Sequence, residues 1–326
     1  MSGSARLRIG VLGAARILDD ALLAPVREVA DVQVTAIAAR DRARAEAVAA
    51  RAAIGTVLGS YQEVLDSPDV DAVYIPLPAA LHGEWTVRAA EAGKHVLCEK
   101  PFTSSVTASR EVAAAVQGLP VTVTEAYHTG FHPHLTALRG ILASGEIGRV
   151  VRARATFCVP IPKRSDIRWN AALGGGGLLD VGYYPMRLLR DLLGEVEAVD
   201  DARAWLRGDV DRLVEARLAF AGGVEGGIVS SMWSRRLIEA HLRVVGTAGS
   251  VDMAWPYHPQ MKGRIVVRSG EGRRVEQVTR RTSYVFQLEA FRDATRGGPN
   301  PADASAAVAQ AEALRSTYSA AGLALG

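Results

Sequence analysis

The sequence contains little cysteine, and its two thiols stand far apart. Cys98 and Cys158 form no CxxC pair, and isolated thiols of this kind are typical of a reducing compartment rather than of a disulfide framework. The stretch MSGSARLRIGVLGAARI has no charged region followed by a long apolar one, and no apolar run reaches the ~18 residues that span a bilayer. We therefore expect a cytoplasmic protein without a membrane partner.

Neither positive nor negative charge is present in large excess. The formal net charge is +3 over 326 residues, and no dense basic stripe interleaved with aromatic residues occurs, so nucleic-acid binding has little support. With 48% hydrophobic and 22% charged residues, the composition is typical of a globular enzyme. The length suffices for two domains with a core in each.

Lysine is the scarcest charged residue, because Lys94, Lys100, Lys163 and Lys262 are the only four in the chain. Lysine can lose its proton when it is partly buried, whereas arginine effectively cannot. Lys100 stands in the stretch HVLCEKPFT, at the end of an apolar run. This position makes it a candidate for acid–base chemistry, and a solvated lysine in a turn is the alternative interpretation.

Strands and helices alternate in the first 125 residues. The apolar runs of strand length are RLRIGVLG (6–13), VQVTAIAAR (32–40), DAVYIPLP (71–78), HVLCE (95–99) and PVTVTEAY (120–127). Helical patterns separate them, which predicts βαβ units around a parallel sheet that is buried on both faces. We therefore predict an α/β fold in which residues 1–125 form a doubly wound, dinucleotide-binding Rossmann domain.

Residues 126–326 have a different pattern of longer alternating runs. These runs are RVVRARATFCV, GDVDRLVEARLAF, GGVEGGIVSSMW, AHLRVVGTAGSVDMAW and GRIVVRS. Alternation over such lengths predicts a half-exposed, largely antiparallel sheet in a C-terminal α+β domain. A glycine-rich loop at 174–177 leads into a helix, and the Ala-rich helix predicted at 302–323 is able to pack back on the first domain.

The stretch GVLGAARI follows the first strand and opens a predicted helix, which is the context of a dinucleotide fingerprint. The fingerprint is degenerate, because Gly13 is kept while Ala15 and Leu18 replace the second and third glycines. A strand–glycine turn is common in other α/β folds, so the motif is weak when taken alone. The helix N-terminus would still supply N–H groups to a pyrophosphate.

The end of the second strand reads Ala39-Arg40, with Arg42 and Arg44 following. An Asp or Glu that would hold a ribose 2′-hydroxyl is missing there, and an arginine can bind a 2′-phosphate bidentately. The sequence therefore favours NADP over NAD, with NAD as a further possibility. A solvated arginine face at the start of a helix is the alternative.

Several separated motifs agree with one family. They are GVLGAARI, AARD, SYQEVLDSPDVDAVYIPLPAALHGEWTVRAAEAGKHVLCEKP, TEAYHTGFHP, GGGGLLDVGYYP and YVFQLEAF. The sequence resembles the Gfo/Idh/MocA oxidoreductases, and within them the dihydrodiol dehydrogenase and xylose dehydrogenase branch. The resemblance runs from residue 9 to about residue 300 and implies a Rossmann domain followed by a domain whose open sheet serves for oligomerisation.

The resemblance also implies roles for particular residues. Lys100 of the E-K-P motif is the implied catalytic lysine, in a Lys-Pro peptide that is often cis, and Glu99 can orient it. Asp180 and Tyr184 are the other implied catalytic residues, and their spacing would place both on one face of a helix. The implied substrate contacts are Lys100, His128, Asp180 and Tyr184. The implied cofactor contacts are Gly13, Ala14, Ala15, Arg16, Ile17, Ala39, Arg40, Arg44, Leu77, Pro78, His82, Glu99, Lys100, Arg168, Trp169 and Tyr284.

The sequence departs from the family pattern at two places. Ala79 stands where relatives usually have asparagine, and His128-Thr129-Gly130 replaces a bulky Met-Tyr-Arg segment. Those positions approach the substrate in the family, so the two departures affect the substrate class rather than the cofactor. A metal site is suggested by His128, His132 and His134, but no clear acidic or cysteine co-ligand accompanies them. We predict no metal.

We predict an NADP-preferring dehydrogenase or reductase that moves a hydride between nicotinamide and a carbinol or carbonyl carbon. Its substrate would be a sugar, a cyclic polyol or a dihydrodiol. Two alternatives are a redox-neutral enzyme that retains its dinucleotide while it cleaves or eliminates glycosides, and a non-catalytic dinucleotide-binding regulator. The small and apolar residues of GGVEGGIVSSMW further predict a homodimer or higher homo-oligomer.

Overall fold

The chain divides into two units in the computed structural model, which describes residues 6–323. The first unit contains the described residues up to 128 together with 284–308, and the second contains 129–283 and the described residues from 309 onward. The first unit therefore includes a segment from beyond the predicted 1–125 domain. Its helix places Val285, Leu288 and Phe291 in the hydrophobic core of that unit, which explains why the segment belongs there.

The first unit is built on a six-stranded sheet in which all strands run parallel. The strand order is β3-β2-β1-β4-β5-β6. This is the predicted doubly wound arrangement, and the structure confirms it. The strands are β1 Leu7–Leu12, β2 Val32–Ala38, β3 Thr56–Val57, β4 Ala72–Ile75, β5 His95–Glu99 and β6 Val123–Ala126.

Helices cover both faces of this sheet. Alternate residues of β1 enter different hydrophobic clusters, because Ile9 and Val11 belong to one cluster and Leu12 to the other. A parallel sheet needs this double cover, since its strands are apolar on both faces. The helices of the first unit are α1 Ala24–Val26, α2 Arg42–Ala52, α3 Tyr61–Asp66, α4 Ala79–Glu91, α5 Val106–Val116 and α10 Ser283–Ala294, and α11 Ala304–Ala320 begins there.

The helical segment that the sequence predicts after β1 begins with a π-helical turn. This turn spans Asp19–Leu23 and passes directly into the short helix α1, which contains Pro25. Because proline has no backbone N–H, this residue donates no hydrogen bond within the helix. The residues from Gly13 to Ile17 precede the helical segment as a loop and turn.

The second unit contains an eight-stranded sheet with the order β14-β13-β12-β11-β7-β10-β9-β8. Only the pairing of β7 with β10 is parallel among the pairings of its described strands. The predicted open, largely antiparallel sheet is therefore confirmed. The strands are β7 Val150–Cys158, β8 Val196–Arg207, β9 Val210–Phe220, β10 Val224–Ser231, β11 Glu239–Gly246, β12 Ser250–Ala254, β13 Arg264–Ser269 and β14 Gly272–Gln277.

The helices of the second unit are α6 Pro133–Ala143, α7 Gly177–Asp180, α8 Tyr183–Leu193 and α9 Pro259–Lys262. The helices α7 and α8 pack on β7, β9 and β10, and the ring of Phe157 in β7 lies edge-on to Tyr184 in α8, with centroids 5.5 Å apart. The alternate residues Arg152 and Arg154 of β7 point to the other face and are exposed. Within residues 6–323, no helix combines the length and the apolarity that crossing a membrane requires.

Candidate active site

The parallel sheet of the first unit gathers the ends of its strands at one edge. Because every strand runs in the same direction, the loops after β1, β2, β4 and β5 all leave from the carboxyl edge. The order of the strands reverses between β1 and β4, and open α/β sheets bind ligands in the crevice at such a switch point. The predicted residues that follow these strands are Gly13, Ala14, Ala15, Arg16, Ile17, Ala39, Arg40, Leu77, Pro78 and Lys100, and the predicted residue Glu99 is the last of β5.

Gly13 lies in a turn that only glycine fits. Its φ is +116°, and a Cβ at this position would approach Leu77 Cδ2 to 3.0 Å. The backbone N–H of Gly13 donates to the carbonyl oxygen of Ala38 at 2.8 Å. The first fingerprint glycine therefore brings together the loops that follow β1 and β4, and its bare backbone is suited to close approach of a phosphate.

The arginines that follow β2 have different surroundings. Arg42 forms an ion pair with Glu46 at 2.8 Å, and Arg44 donates to the carbonyl oxygen of Ala14 at 2.8 Å. Arg40 is exposed and has no ion-pair or hydrogen-bond partner among the side chains of residues 6–323. Arg40 is thus the guanidinium available to an anion, whereas Arg44 fastens the loop after β1 to the helix α2.

Lys100 directly follows β5 and is half-buried. Its backbone N–H donates to Glu99 Oε2 at 3.3 Å, and the Tyr74 hydroxyl donates to Glu99 Oε1 at 2.7 Å. Burial raises the pKa of Glu99, while the hydrogen bond from Tyr74 and the positive charge of Lys100 act in the opposite direction. The peptide bond between Lys100 and Pro101 is cis, as the family resemblance implies.

His82 connects two of these loops. Its Nδ1 lies 2.8 Å from the carbonyl oxygen of Pro101, and its Nε2 lies 2.7 Å from that of Leu77. The side chain is 1% exposed, and burial lowers its pKa. Both ring nitrogens therefore face backbone carbonyls. His82 therefore links the segments that contain Leu77 and Pro101, and its predicted contact with the cofactor stays a prediction.

Two further contacts lie near the carboxyl ends of β5 and β6. The buried carboxylate of Glu125 accepts a hydrogen bond from the backbone N–H of Phe102 at 2.8 Å, which holds the segment after Pro101. The ring of His128 lies 4.2 Å from that of Tyr284, centroid to centroid. The structure thus brings together a predicted substrate contact and a predicted cofactor contact that are far apart in sequence.

The second unit holds the other predicted catalytic residues. Arg168 Nε donates to Asp180 Oδ2 at 2.6 Å, and Arg168 Nη1 donates to Asp166 Oδ1 at 3.2 Å. The charge of Asp180 is the largest cause that raises the pKa of Arg168. Arg168, which the sequence predicted as a cofactor contact, therefore pairs directly with the predicted catalytic carboxylate.

Asp180 and Tyr184 do not lie on one continuous helix as predicted. The helix α7 ends at Asp180, Val181 and Gly182 intervene, and α8 begins at Tyr183. The break occurs because Gly182 N–H bonds back to the carbonyl oxygen of Gly177 at 2.8 Å, which closes α7 with a wider turn. Tyr184 is 7% exposed.

Tyr184 belongs to an aromatic cluster in the second unit. Its ring centroid lies 5.5 Å from that of Phe157, 5.8 Å from that of Tyr257 and 5.9 Å from that of Tyr183. Aromatic contacts at these separations and tilts are favourable beyond the area that they bury. The cluster fixes the ring, so the position of the Tyr184 hydroxyl is determined by packing.

Trp169 and the histidines occupy separate places in the second unit. Trp169 Nε1 donates to the carbonyl oxygen of Ile161 at 3.2 Å, and the guanidinium of Arg207 stacks 4.5 Å from its ring centroid. His132 and His134 approach each other with their Nδ1 atoms 2.9 Å apart. No group of three or more potential metal ligands occurs in the described part of the chain.

Sequence reasoning missed three supporting residues. Tyr74 reaches Glu99 because β4 pairs with β5 in parallel register, and nothing local to Tyr74 indicates this contact. Glu125 lies within a strand pattern and was not assigned a role. Asp166 was detectable in principle, since an acidic residue two positions before an arginine at the start of a 3-10 turn is a typical N-cap.

The fold and the loops at the carboxyl edge define a class of protein. A doubly wound sheet with a tight glycine turn after β1 is a dinucleotide-binding architecture, and the lysine after β5 adds a group capable of proton transfer. Two models of one oxidoreductase family match the chain. One is described as "Oxidoreductase family, NAD-binding Rossmann fold" and matches residues 7–127, and the other, the GFO/IDH/MocA C-terminal domain, matches residues 135–252. The chain belongs to the Gfo/Idh/MocA oxidoreductase family.

Several proteins of known activity are similar to this chain. A dTDP-3,4-didehydro-2,6-dideoxy-alpha-D-glucose 3-reductase of Streptomyces violaceoruber is 35% identical over 343 residues, covering 97% of this chain and 96% of its own length. A D-xylose 1-dehydrogenase (NADP(+)) of Haloferax volcanii is 34% identical over 300 residues, covering 90% and 91%. The crystal structure of a 3-ketoreductase from Actinomadura kijaniata with NADP and TDP-benzene has a TM-score of 0.86 at 29% identity, covering 94% and 95%.

Proposed function

We propose that this protein is an NADP-dependent oxidoreductase that interconverts a carbinol and a carbonyl carbon on a sugar-like substrate. The observation that carries the proposal is the position of Lys100 immediately after β5, at the carboxyl edge of a parallel sheet and next to the carboxylate of Glu99. Ligands of such sheets bind at this edge. When bound there, the nicotinamide would accept or supply the hydride.

The residues of the first unit fit NADP. Gly13 has a φ of +116° and no space for a Cβ, which is the tight glycine turn that precedes the pyrophosphate site in dinucleotide-binding folds. Arg40 follows β2 without an ion-pair partner among the described side chains, at the position where a ribose 2′-phosphate is recognised in this fold. A guanidinium binds phosphate bidentately, so Arg40 would select NADP over NAD.

Lys100 is the proposed proton-transfer group. In reduction, its Nζ would donate a proton to the carbonyl oxygen of the substrate, and in oxidation it would take the proton from the hydroxyl. Asp180 and Tyr184 are proposed to bind hydroxyl groups of the same substrate, as the family resemblance implies. Arg168 donates to Oδ2 of Asp180 at 2.6 Å, and each carboxylate oxygen has a second lone pair that a substrate hydroxyl can donate to.

The substrate class follows from the relatives and from the departures in this chain. The similar proteins named above act on a dTDP-linked keto sugar and on D-xylose. A mouse trans-1,2-dihydrobenzene-1,2-diol dehydrogenase is also 36% identical over 254 residues. All three compounds carry an oxygen on a ring carbon next to another oxygenated carbon. We therefore propose a cyclic substrate with neighbouring oxygen functions.

A panel of substrates tests this function. Purified protein would be assayed with NADP and D-xylose, with NADP and a trans-dihydrodiol, and with NADPH and cyclic keto sugars, with and without a dTDP group. We expect a change in absorbance at the nicotinamide band with at least one of them. Absence of turnover across the panel, with NADPH bound normally, would contradict the proposal.

The substitution Lys100→Met tests the role of the lysine on the substrate that this panel identifies. We expect kcat to fall by roughly 10²- to 10⁴-fold, the usual cost of losing a general acid–base group, while the Kd of NADPH changes only a few-fold. Lys94→Met is the matched control, because Lys94 is also half-buried but donates to the backbone oxygens of Ser67 and Val70. The control should lower stability and leave kcat near that of the wild type.

A further inference from the structure

A buried carboxylate lies beneath the glycine loop of the second unit. Asp211, in β9, is 2% exposed. Its Oδ2 accepts a hydrogen bond from the backbone N–H of Leu178 at 2.7 Å, and its Oδ1 accepts one from the Tyr318 hydroxyl at 2.6 Å. Both oxygens are thus engaged, one by the first turn of α7 and the other by the terminal helix α11.

The glycine loop is packed tightly against this pair. At Gly176, where φ is +139°, a Cβ would lie 2.8 Å from Asp211 Oδ1 and 2.9 Å from the Tyr318 hydroxyl oxygen. At Gly177, a Cβ would lie 2.9 Å from Asp211 Oδ2. Two successive glycines are therefore required because the backbone of the loop rests directly on Asp211 and Tyr318.

The loop in turn determines where Asp180 lies. The helix α7 has only four residues, Gly177–Asp180, and the backbone N–H of Asp180 donates to the carbonyl oxygen of Gly176 at 3.0 Å. The N–H of Gly176 donates to the carbonyl oxygen of Arg168 at 3.0 Å. Arg168 is the residue whose guanidinium binds the Asp180 carboxylate. A displacement of Gly176 would therefore move both partners of that ion pair.

The charge states of the pair favour a fixed geometry. Burial raises the pKa of Asp211, while the hydrogen bonds from Tyr318 and from the backbone N–H of Leu178 oppose that shift. The pKa of Tyr318 lies well above its ordinary value, because the hydroxyl is buried and adjacent to the carboxylate. Tyr318 consequently stays protonated at neutral pH and donates its hydroxyl hydrogen to Asp211 Oδ1.

We propose that Asp211 and Tyr318 are positioning residues that hold the glycine loop so that Asp180 has its catalytic orientation. The inference rests on the proposed function, because it assigns Asp180 a role in turnover. Neither residue touches substrate or cofactor in this proposal. Their contribution passes through the backbone of residues 176–178.

Hydrogen exchange tests the structural half of the proposal without any substrate. We expect the amides of residues 177–180 to exchange at least about tenfold faster in Tyr318→Phe and Asp211→Ala than in the wild type. Thr317→Val is the matched control, since Thr317 is equally buried in α11 but bonds only to the carbonyl oxygen of Ala313 in its own helix. Unchanged exchange in Tyr318→Phe would overturn the proposal. This result decides the test even if Asp211→Ala fails to fold.

A double-mutant cycle tests the catalytic half. Tyr318→Phe should lower kcat by roughly 10- to 100-fold, the scale of a misplaced catalytic group, with the Kd of NADPH unchanged. In an Asp180→Asn background the same substitution should have no further effect on kcat. Asp211→Asn should keep kcat near the wild-type value, because its amide can both accept from Leu178 and donate to the oxygen of Tyr318.

The outcomes separate this proposal from the proposed function. If Asp180→Asn keeps full turnover, or if no panel compound reacts, the proposed role of Asp180 in turnover is wrong. Hydrogen exchange still shows in that case whether Asp211 holds the glycine loop. If Asp180→Asn loses turnover but Tyr318→Phe keeps it, the positioning role is overturned. An equal loss of kcat in Thr317→Val, or an additional loss in the double variant, would also overturn it.

Discussion

The positive charge on Lys100 acts on the neighbouring carboxylate of Glu99. Burial raises the pKa of Glu99, and the charge of Lys100 is one of the causes that oppose this rise. The substitution Lys100→Met removes that charge, so we expect the pKa of Glu99 to rise further in this variant.

Arg40 provides the residue-scale prediction for cofactor choice. In Arg40→Ala we expect the preference for NADP over NAD to fall by about 10- to 100-fold, because a bidentate, charge-assisted contact to the 2′-phosphate is lost. Titration of NADPH and NADH against the wild type and the variant measures this effect. NADH affinity should stay nearly constant, since it lacks the 2′-phosphate.

Arg42→Ala is the control for that measurement. Arg42 is also exposed at the start of α2, but it is already paired with Glu46 at 2.8 Å, so its loss should leave the ratio of the two affinities unchanged. Equal affinity of the wild type for NADPH and NADH would contradict the assignment of Arg40.

Some site residues could be predicted from the sequence because their signal is local. Lys100 and Arg40 each follow a recognisable apolar strand, so their place at the carboxyl edge follows from the order of elements. Tyr74 and Asp211 could not be predicted in this way. Tyr74 meets Glu99 through the pairing of β4 with β5, and Asp211 meets Tyr318 across 107 positions of sequence.

At the scale of elements, buried strands were the easiest to predict. The apolar run HVLCE has the same bounds as β5, because a fully buried strand is apolar throughout and is flanked by turns. The strand β8, Val196–Arg207, was missed, since its exposed and half-exposed polar residues obscure the alternation. A helix was predicted after β1, and the structure adds that it begins with a π-helical turn over Asp19–Leu23, which the sequence pattern does not reveal.

The start of α6 contains a buried pair of histidines with consequences for acid stability. His132 is the N-cap residue, and its Nδ1 accepts from the backbone N–H of His134 at 3.2 Å. Burial lowers the pKa of His132 to about 4. Burial, together with the charge of His132, lowers the pKa of His134 to about 3. Both rings are therefore neutral in the folded protein at neutral pH.

We predict that acid destabilises the protein through this pair. The unfolded chain binds protons on these histidines below its own pKa of about 6.5, whereas the folded chain does not until pH ~4. Folding stability from these groups is therefore fully present above pH 6.5 and is lost as the pH falls, by about 1.4 kcal/mol per pH unit for each histidine. Urea unfolding between pH 7 and pH 5 measures the decline.

The variant His134→Leu should show a shallower decline over the same range, because one of the two titrating groups is gone. His241→Gln is the control, since His241 lies on the open sheet face with its side chain 40% exposed. The control should follow the wild-type profile. A decline in His134→Leu as steep as that of the wild type would show that other groups govern acid stability.

At the scale of the whole molecule, the uncovered face of the second sheet is more charged than the sequence analysis assumed. Gly227 lies on this face in the middle of β10, whereas Val229 and Ser231, on the same side of the strand, are only 1% exposed. Cross-strand neighbours add arginines, because Arg154 in β7 pairs in register with Arg243 in β11. Carboxylates are interspersed, with Asp252 of β12 within 2.5 Å of Arg268. Mixed charges around a centre of small residues suit a contact between two identical copies.

We predict a homodimer formed by this face. Sedimentation equilibrium at micromolar concentration should show about twice the monomer mass of 34.6 kDa, with association weakened by salt because exposed ion pairs are screened. Gly227→Arg should yield monomers, since a Cβ at Gly227 meets nothing closer than 3.7 Å and the added side chain would project from the middle of the face. Gly140→Arg, at an exposed position of α6 with open space around it, should leave the dimer intact. A single 34.6 kDa species in the wild type would refute the prediction.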